Sequence, residues 1–239
     1  MTIVGKAKRV VDLGMTTVLL LLMAYALIGE LAHEVLGCIM FALMIAHMVL
    51  NFSWYRSLSK GRYSAFRVVQ TVLDFLILGS MLVSMLSGIR LSKHVFEPLG
   101  LSYSLSGSRI AHLLASHWGF CLMSMHLGMH WTVITTSLKK RNWDAPVRRS
   151  PMIRLITKGV VSALAVYGFW AFIARDFWRY MTFMTRFAFF DYEEPLALFF
   201  VDRIAIMALF IALGFFLAGK TQRKSIPKRN KAYSLFLQE

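Results

Sequence analysis

His33 and His47 stand fourteen residues apart at the two ends of an apolar run, and the same interval recurs between His112 and His126. Fourteen residues fall only about 40° short of four helical turns, so each pair leaves one face of a helix. At the helical rise the members of a pair lie roughly 21 Å apart along the axis, inside a hydrocarbon slab about 30 Å thick. Two such helices, parallel and facing, bring four imidazoles together as two pairs at two depths.

The rest of the chain suits that arrangement. Hydrophobic residues make up 57% of it and the mean hydropathy is +0.58, whereas soluble domains are about 45–50% apolar. The apolar residues come in long blocks, near 10–28, 32–52, 66–91, 108–137, 153–174 and 196–218. These blocks predict an all-α integral membrane bundle with six transmembrane helices. The first block follows Lys6, Lys8 and Arg9; it is long for a signal peptide and no small-x-small cleavage site follows, so it reads as a retained span. Gly29-Glu30-Leu31-Ala32 leaves room only for a tight hairpin to the second. Gly79, Ser80, Ser84 and Gly88 in the third permit close approach, either of another helix or of a macrocycle. The aromatic, mixed-charge stretch 175–195 reads as an interfacial helix or as a loop with anchoring rings, and the basic tail from Lys220 as disordered. Residues 1–138 then form a central four-helix bundle holding the cofactor. Residues 139–239 add two spans, the interfacial segment and the tail to the same membrane domain.

A net charge of +15 invites a nucleic-acid reading, but its distribution opposes it. Most of the 27 Lys and Arg residues fall in the N-terminus, the second-to-third and fourth-to-fifth connections and the tail, while most acids lie on the other side. That is positive-inside patterning in a multi-pass protein of the cytoplasmic membrane, with both termini cytoplasmic. His33 and His112 then lie toward the outside, His47 and His126 toward the cytoplasm. Cys38 and Cys121 sit inside spans, and the absence of Cys-x-x-Cys-His excludes c-type haem attachment.

Ionisable or metal-binding side chains inside a membrane are costly and usually functional. For a lone histidine, core hydrogen bonding competes evenly with ligation. Two matched pairs point to two haem b groups, with His33, His47, His112 and His126 as metal ligands. His130, one turn after His126, is the alternative ligand for the cytoplasmic haem or a hydrogen-bond partner beside Trp131. His117 lies about 140° around the helix from His112, so both cannot serve one haem; a His117–His130 register is the competing arrangement. His94 falls in a loop. Gly119, midway between His112 and His126, and Gly37, one turn after His33, leave room for a porphyrin edge or for helix packing. Arg109 and Arg90 stand where they can pair with outer haem propionates or merely snorkel. Two neutral imidazoles leave an iron no open position, which suits electron transfer rather than oxygen chemistry.

His33-Glu34-x-x-Gly37, the run to His47 and Asn51, and Trp54-Tyr55 resemble the flavinylation-associated cytochrome family. So do Ala111-His112, Trp118-Gly119-Phe120, His126-Leu127-Gly128-Met129-His130-Trp131 and Phe187-Ala188-Phe189-Phe190-Asp191-Tyr192. The likeness covers most of residues 15–218. It implies a membrane b-type cytochrome passing electrons to extracytosolic domains that carry covalent FMN, with the four paired histidines as ligands and His130 in reserve. No flavin domain is evident in this chain, so an FMN-bearing flavoprotein is expected as a partner. A second redox reading is a quinol-oxidising cytochrome b anchor, with Asp74 and His130 handling protons beside a membrane quinone. A histidine-lined metal or proton transporter is the alternative from a different class.

Overall fold

The structure, a computed structural model, describes residues 3–103, 107–132, 134–135, 151–187 and 193–225 of the 239. Among these residues every regular element is a helix or helical turn, as the apolar blocks predict. Helix α1 (Ile3–Leu22) breaks at Met23-Ala24 and resumes as the single turn α2 (Tyr25–Ile28). Gly29 then reverses the chain at φ +83°, a left-handed conformation that favours glycine, and α3 (Glu30–Leu50) runs back along α1. Short helix α4 (Phe52–Ser57) leads to α5 (Ala65–Leu91), which starts where the Ser64 hydroxyl accepts the Arg67 N–H. After a 3-10 turn at Glu97–Leu99 come α6 (Ser108–Met129), α7 (Pro151–Ala174), α8 (Phe177–Met181) and α9 (Leu196–Ser225).

Helix α6 is the centre of the packing. It lies along both α5 and α9, and α9 packs on α7, while α1 and α3 form the second layer. One buried cluster joins the two: Val18 and Met40 from α1 and α3 meet Phe120 and Cys121 of α6, Phe177 of α8, and Ile206 and Met207 of α9. The α6–α9 crossing is close because both partners offer glycine. A methyl at Gly128 would meet the Ile211 carbonyl, and one at Gly214 the Met125 carbonyl. Gly168 of α7 does the same against the Ala205 carbonyl. Glycine at such crossings is the usual device of helices that associate without a hydrophobic driving force.

Among the described residues three helices are long and apolar enough to cross a membrane: α3, α5, and α9 over Leu196–Gln222; Gly159–Ala174 of α7 is apolar but shorter. Their outward side chains are apolar, for example Ile39 and Val49 on α3, Phe75 and Leu86 on α5, and Phe215 and Phe216 on α9. Polar Asp202, His117, Ser124 and Ser87 lie inside. This inverted distribution is compatible with a lipid bilayer. Where α7 ends and α9 begins, Arg175 ties buried Asp202 at 2.6 Å and also pairs with Glu194. Burial works against the Arg175 charge, but bonds to those two carboxylates hold it above the usual arginine range.

Three boundaries differ from the sequence reading. Helix α6 breaks at His130, at φ −89° and ψ 0°, instead of running on unbroken, and residues 131–132 and 134–135 are helical again. Helix α9 continues through Lys220 to Ser225 instead of giving way to a disordered tail; Lys and Arg are good helix formers and favour a helix C-terminus. Within 175–195 the described helix is only Phe177–Met181, short for an interfacial helix. Residues 139–149, 188–192 and 226–239 lie outside the described residues.

Because the obstacle at Gly128 and Gly214 is backbone, neither site can relax by a rotamer change. Gly128→Ala and Gly214→Ala are each expected to cost about 3 kcal/mol. Gly79→Ala, with nothing within 4 Å of the added methyl, should be neutral or stabilising by up to about 1 kcal/mol. Thermal unfolding of the detergent-purified chain separates the two classes.

Candidate functional site: two facing histidine pairs

The structure brings His33 and His112 together with ring centres 6.0 Å apart, and His47 and His126 at 6.5 Å. Helices α3 and α6 therefore run parallel and in the register that the repeated spacing predicts. They are joined by these rings and have little close backbone contact, so the space between them is spanned by imidazole. Each pair is steep, with the ring planes at 70° and 75°.

The surroundings of the four rings decide which nitrogen each presents. His112 Nδ1 is 3.0 Å from the Ser84 carbonyl and 3.1 Å from Ser87 Oγ. A carbonyl only accepts, so Nδ1 carries the proton and Nε2 is the free nitrogen. Gly88 completes this contact, since a methyl there would lie 3.4 Å from His112 Cε1. His47 Nδ1 is 2.8 Å from Asp12 Oδ1 of α1. His126 Nδ1 is 2.7 Å from Asp74 Oδ1 of α5, close but out of line for a good hydrogen bond. His33 Nδ1 faces the Leu22 carbonyl without a well-aligned bond, and its ring meets Tyr25 edge-on at 5.1 Å. Three of the four Nδ1 atoms thus have an acceptor within 3.0 Å. This is the arrangement that fixes metal-binding imidazoles and leaves Nε2 for the metal.

The remaining candidates are placed as follows. His130 sits 4.7 Å from the His126 ring, with Nε2 3.4 Å from the Gln70 amide nitrogen. His117 turns away toward α8, stacked on Tyr180 at 4.5 Å and donating from Nδ1 to the Leu113 carbonyl at 2.7 Å. Gly119 is buried against α5, where a methyl would come 3.2 Å from Ser80 Oγ; Gly37 has open space beside it. Arg109 lies over Phe187 and Arg90 over Tyr103; among the described residues neither forms an ion pair. No three His, Cys, Asp or Glu side chains converge as a metal site among the described residues. What the arrangement offers is two separate two-imidazole positions.

Two elements of the site were missed in the sequence. Asp12 was visible as an acid within an apolar block, but nothing in the spacing tied it to His47 on another helix. Glu34, beside His33, holds the loop that follows α5: its carboxylate accepts from Ser92 Oγ at 2.7 Å and from the amides of Lys93, Val95 and His94 at 2.7, 2.8 and 3.2 Å. Tyr25 and Lys93 bind the neighbouring Glu30. At the other end Lys8 donates to Asn51, whose amide donates back to the His47 carbonyl.

Glu34→Ala leaves three amides and a hydroxyl without their acceptor, a loss on the order of 2 kcal/mol for charge-assisted bonds. The amides of Lys93, His94 and Val95 should exchange with deuterium faster in that variant, while those of α6 keep their protection. Compared with protein-family models, characterised proteins and solved structures, the chain matches none.

Proposed function

We propose that the chain is a six-span membrane cytochrome that holds two haem b groups and carries electrons between the two sides of the membrane. The observation that carries this reading is the pair of ring separations. Two metal–nitrogen bonds of about 2 Å, plus about 1.1 Å from each nitrogen to its ring centre, set two axial imidazoles about 6 Å apart. The observed 6.0 and 6.5 Å fit that requirement at both depths. Haem b between two neutral imidazoles has no open position and supplies one-electron transfer.

The chain's own residues do the holding. His33 with His112 would hold one haem, and His47 with His126 the other. The Ser84 carbonyl, Asp12 and Asp74 orient three of these rings through Nδ1. Arg109 and Arg90, free of ion pairs among the described residues, are available to carboxylates at the outer end. His130, beside His126 and Gln70, is a neighbour of the inner position.

Six spans follow if α1, α6 and α7 cross the membrane too. Their 20, 22 and 24 residues reach about 30 Å or more at the helical rise. Helix α6 is the least apolar of these because it carries His112, His117 and His126 and is sheltered by α5, α8 and α9. Helices α1 and α7 expose Val10, Leu13, Val160, Val166 and Phe169 as a lipid-facing helix does. The likeness to the flavinylation-associated cytochromes rests on the motifs quoted above. It supports an extracytosolic FMN-bearing flavoprotein as the electron acceptor and a quinol or cytoplasmic-side donor.

Two results test this reading. In reduced-minus-oxidised visible spectra, His126→Ala should lose one haem or convert it to high spin, whereas His130→Ala should retain two low-spin haems; the reverse would make His130 the ligand. For sidedness, Leu99→Cys in a chain lacking Cys38 and Cys121 should react with an impermeant maleimide added outside cells, and Lys60→Cys should not. Labelling in the opposite sense would invert the topology.

A further inference from the structure

The two histidine pairs have unlike surroundings. At the end that carries Lys6, Lys8, Arg56 and Lys60, both rings lie beside a carboxylate: Asp12 is hydrogen-bonded to His47 Nδ1 at 2.8 Å, and Asp74 lies 2.7 Å from His126 Nδ1, out of line for a hydrogen bond. At the opposite end neither Nδ1 has one. His112 Nδ1 faces a carbonyl and a hydroxyl, and His33 Nδ1 has no well-aligned partner. Glu34, the nearest acid in sequence to His33, is turned into the 92–95 loop, where its charge is spread over four donors.

From this asymmetry we infer that Asp12 and Asp74 set the order of the two reduction potentials, making the site at the basic end the weaker oxidant. The inference rests on the two-haem reading. A carboxylate at Nδ1 makes the imidazole a stronger donor to the metal. Its charge also favours the oxidised iron, which carries one more positive charge than the reduced iron, and in a bundle interior that attraction is little screened. At the basic end a carboxylate charge lies beside both rings and is hydrogen-bonded to His47; at the other end the carboxylate charge that reaches His33 is that of Glu34, which four donors already share. An electron on the chain therefore rests at the His33–His112 end. The transfer that brings it there oxidises the inner iron from ferrous to ferric and reduces the outer from ferric to ferrous, with no bond made or broken. Asp74, with 17% of its side chain exposed, should act more strongly than Asp12, with 52%.

The test is a redox titration of the purified wild type, Asp12→Asn and Asp74→Asn, followed in the visible spectrum and by electron paramagnetic resonance. Wild type should titrate in two steps. Each variant should raise the lower midpoint and leave the upper one in place, with the larger shift for Asp74→Asn. Retention of both low-spin signals shows that the rings have kept their positions. Should Asp74→Asn lose its haem, Asp12→Asn carries the comparison, and Ser87→Ala should move only the upper midpoint. An unmoved lower midpoint in Asp12→Asn, or movement of the upper one, overturns the inference. A wild-type protein that binds no haem would instead sink the function on which it rests.

Discussion

Imidazole nitrogens inside an apolar bundle must be satisfied, and meeting that demand for four rings at two depths shapes much of this chain. Each ring pair couples α3 to α6, helices that otherwise have little close contact. Partners for the Nδ1 atoms come from two further helices: α1 supplies Asp12 and places the Leu22 carbonyl near His33, and α5 supplies Asp74 and the Ser84 carbonyl. The break between α1 and α2 belongs to the same scheme, because it leaves Leu22 near His33 and turns Tyr25 onto that ring. Small residues then let the supporting helices come near enough. Gly88 lies against the His112 ring in ordinary contact, and Gly119 admits Ser80 to α6.

The second half of the chain holds α6 in place rather than touching the ring pairs. Gly128 and Gly214 bring α6 and α9 into backbone contact, and Gly168 brings α7 to α9 in the same way. Arg175, Asp202 and Glu194 fasten the end of α7 to the start of α9. Breaking such a partly buried pair by removing one partner is strongly destabilising, because the other charge is left uncompensated. His117, enclosed by Phe177 and Tyr180, belongs to this supporting layer. Its contacts with α8 turn it away from the ring pairs, although it shares a helix with His112 and His126.

Much of this was legible in the sequence because helical periodicity is a strong local signal. The interval of fourteen residues predicts both the parallel run of α3 and α6 and the register in which they meet. Helix boundaries near Ala65, Ser108 and Leu196 follow from the apolar blocks. The parts that were not legible depend on contacts between distant segments. Asp12 lies on the hairpin partner of α3, and its approach to His47 depends on how α1 and α3 cross, which spacing does not encode. The Glu34 carboxylate reaches residues nearly sixty positions away. The continuation of α9 past Lys220 was hidden because a change to basic composition marks a membrane boundary and a disordered tail alike.

The central claim is that each imidazole pair receives one haem. The most direct measurement is the haem content of the purified chain by pyridine haemochrome, set against protein mass, with the oxidised protein examined for low-spin ferric signals. The account predicts two haem b per chain, both low-spin. One haem per chain would make one of the two pairs a structural contact, and none would contradict the cytochrome reading altogether.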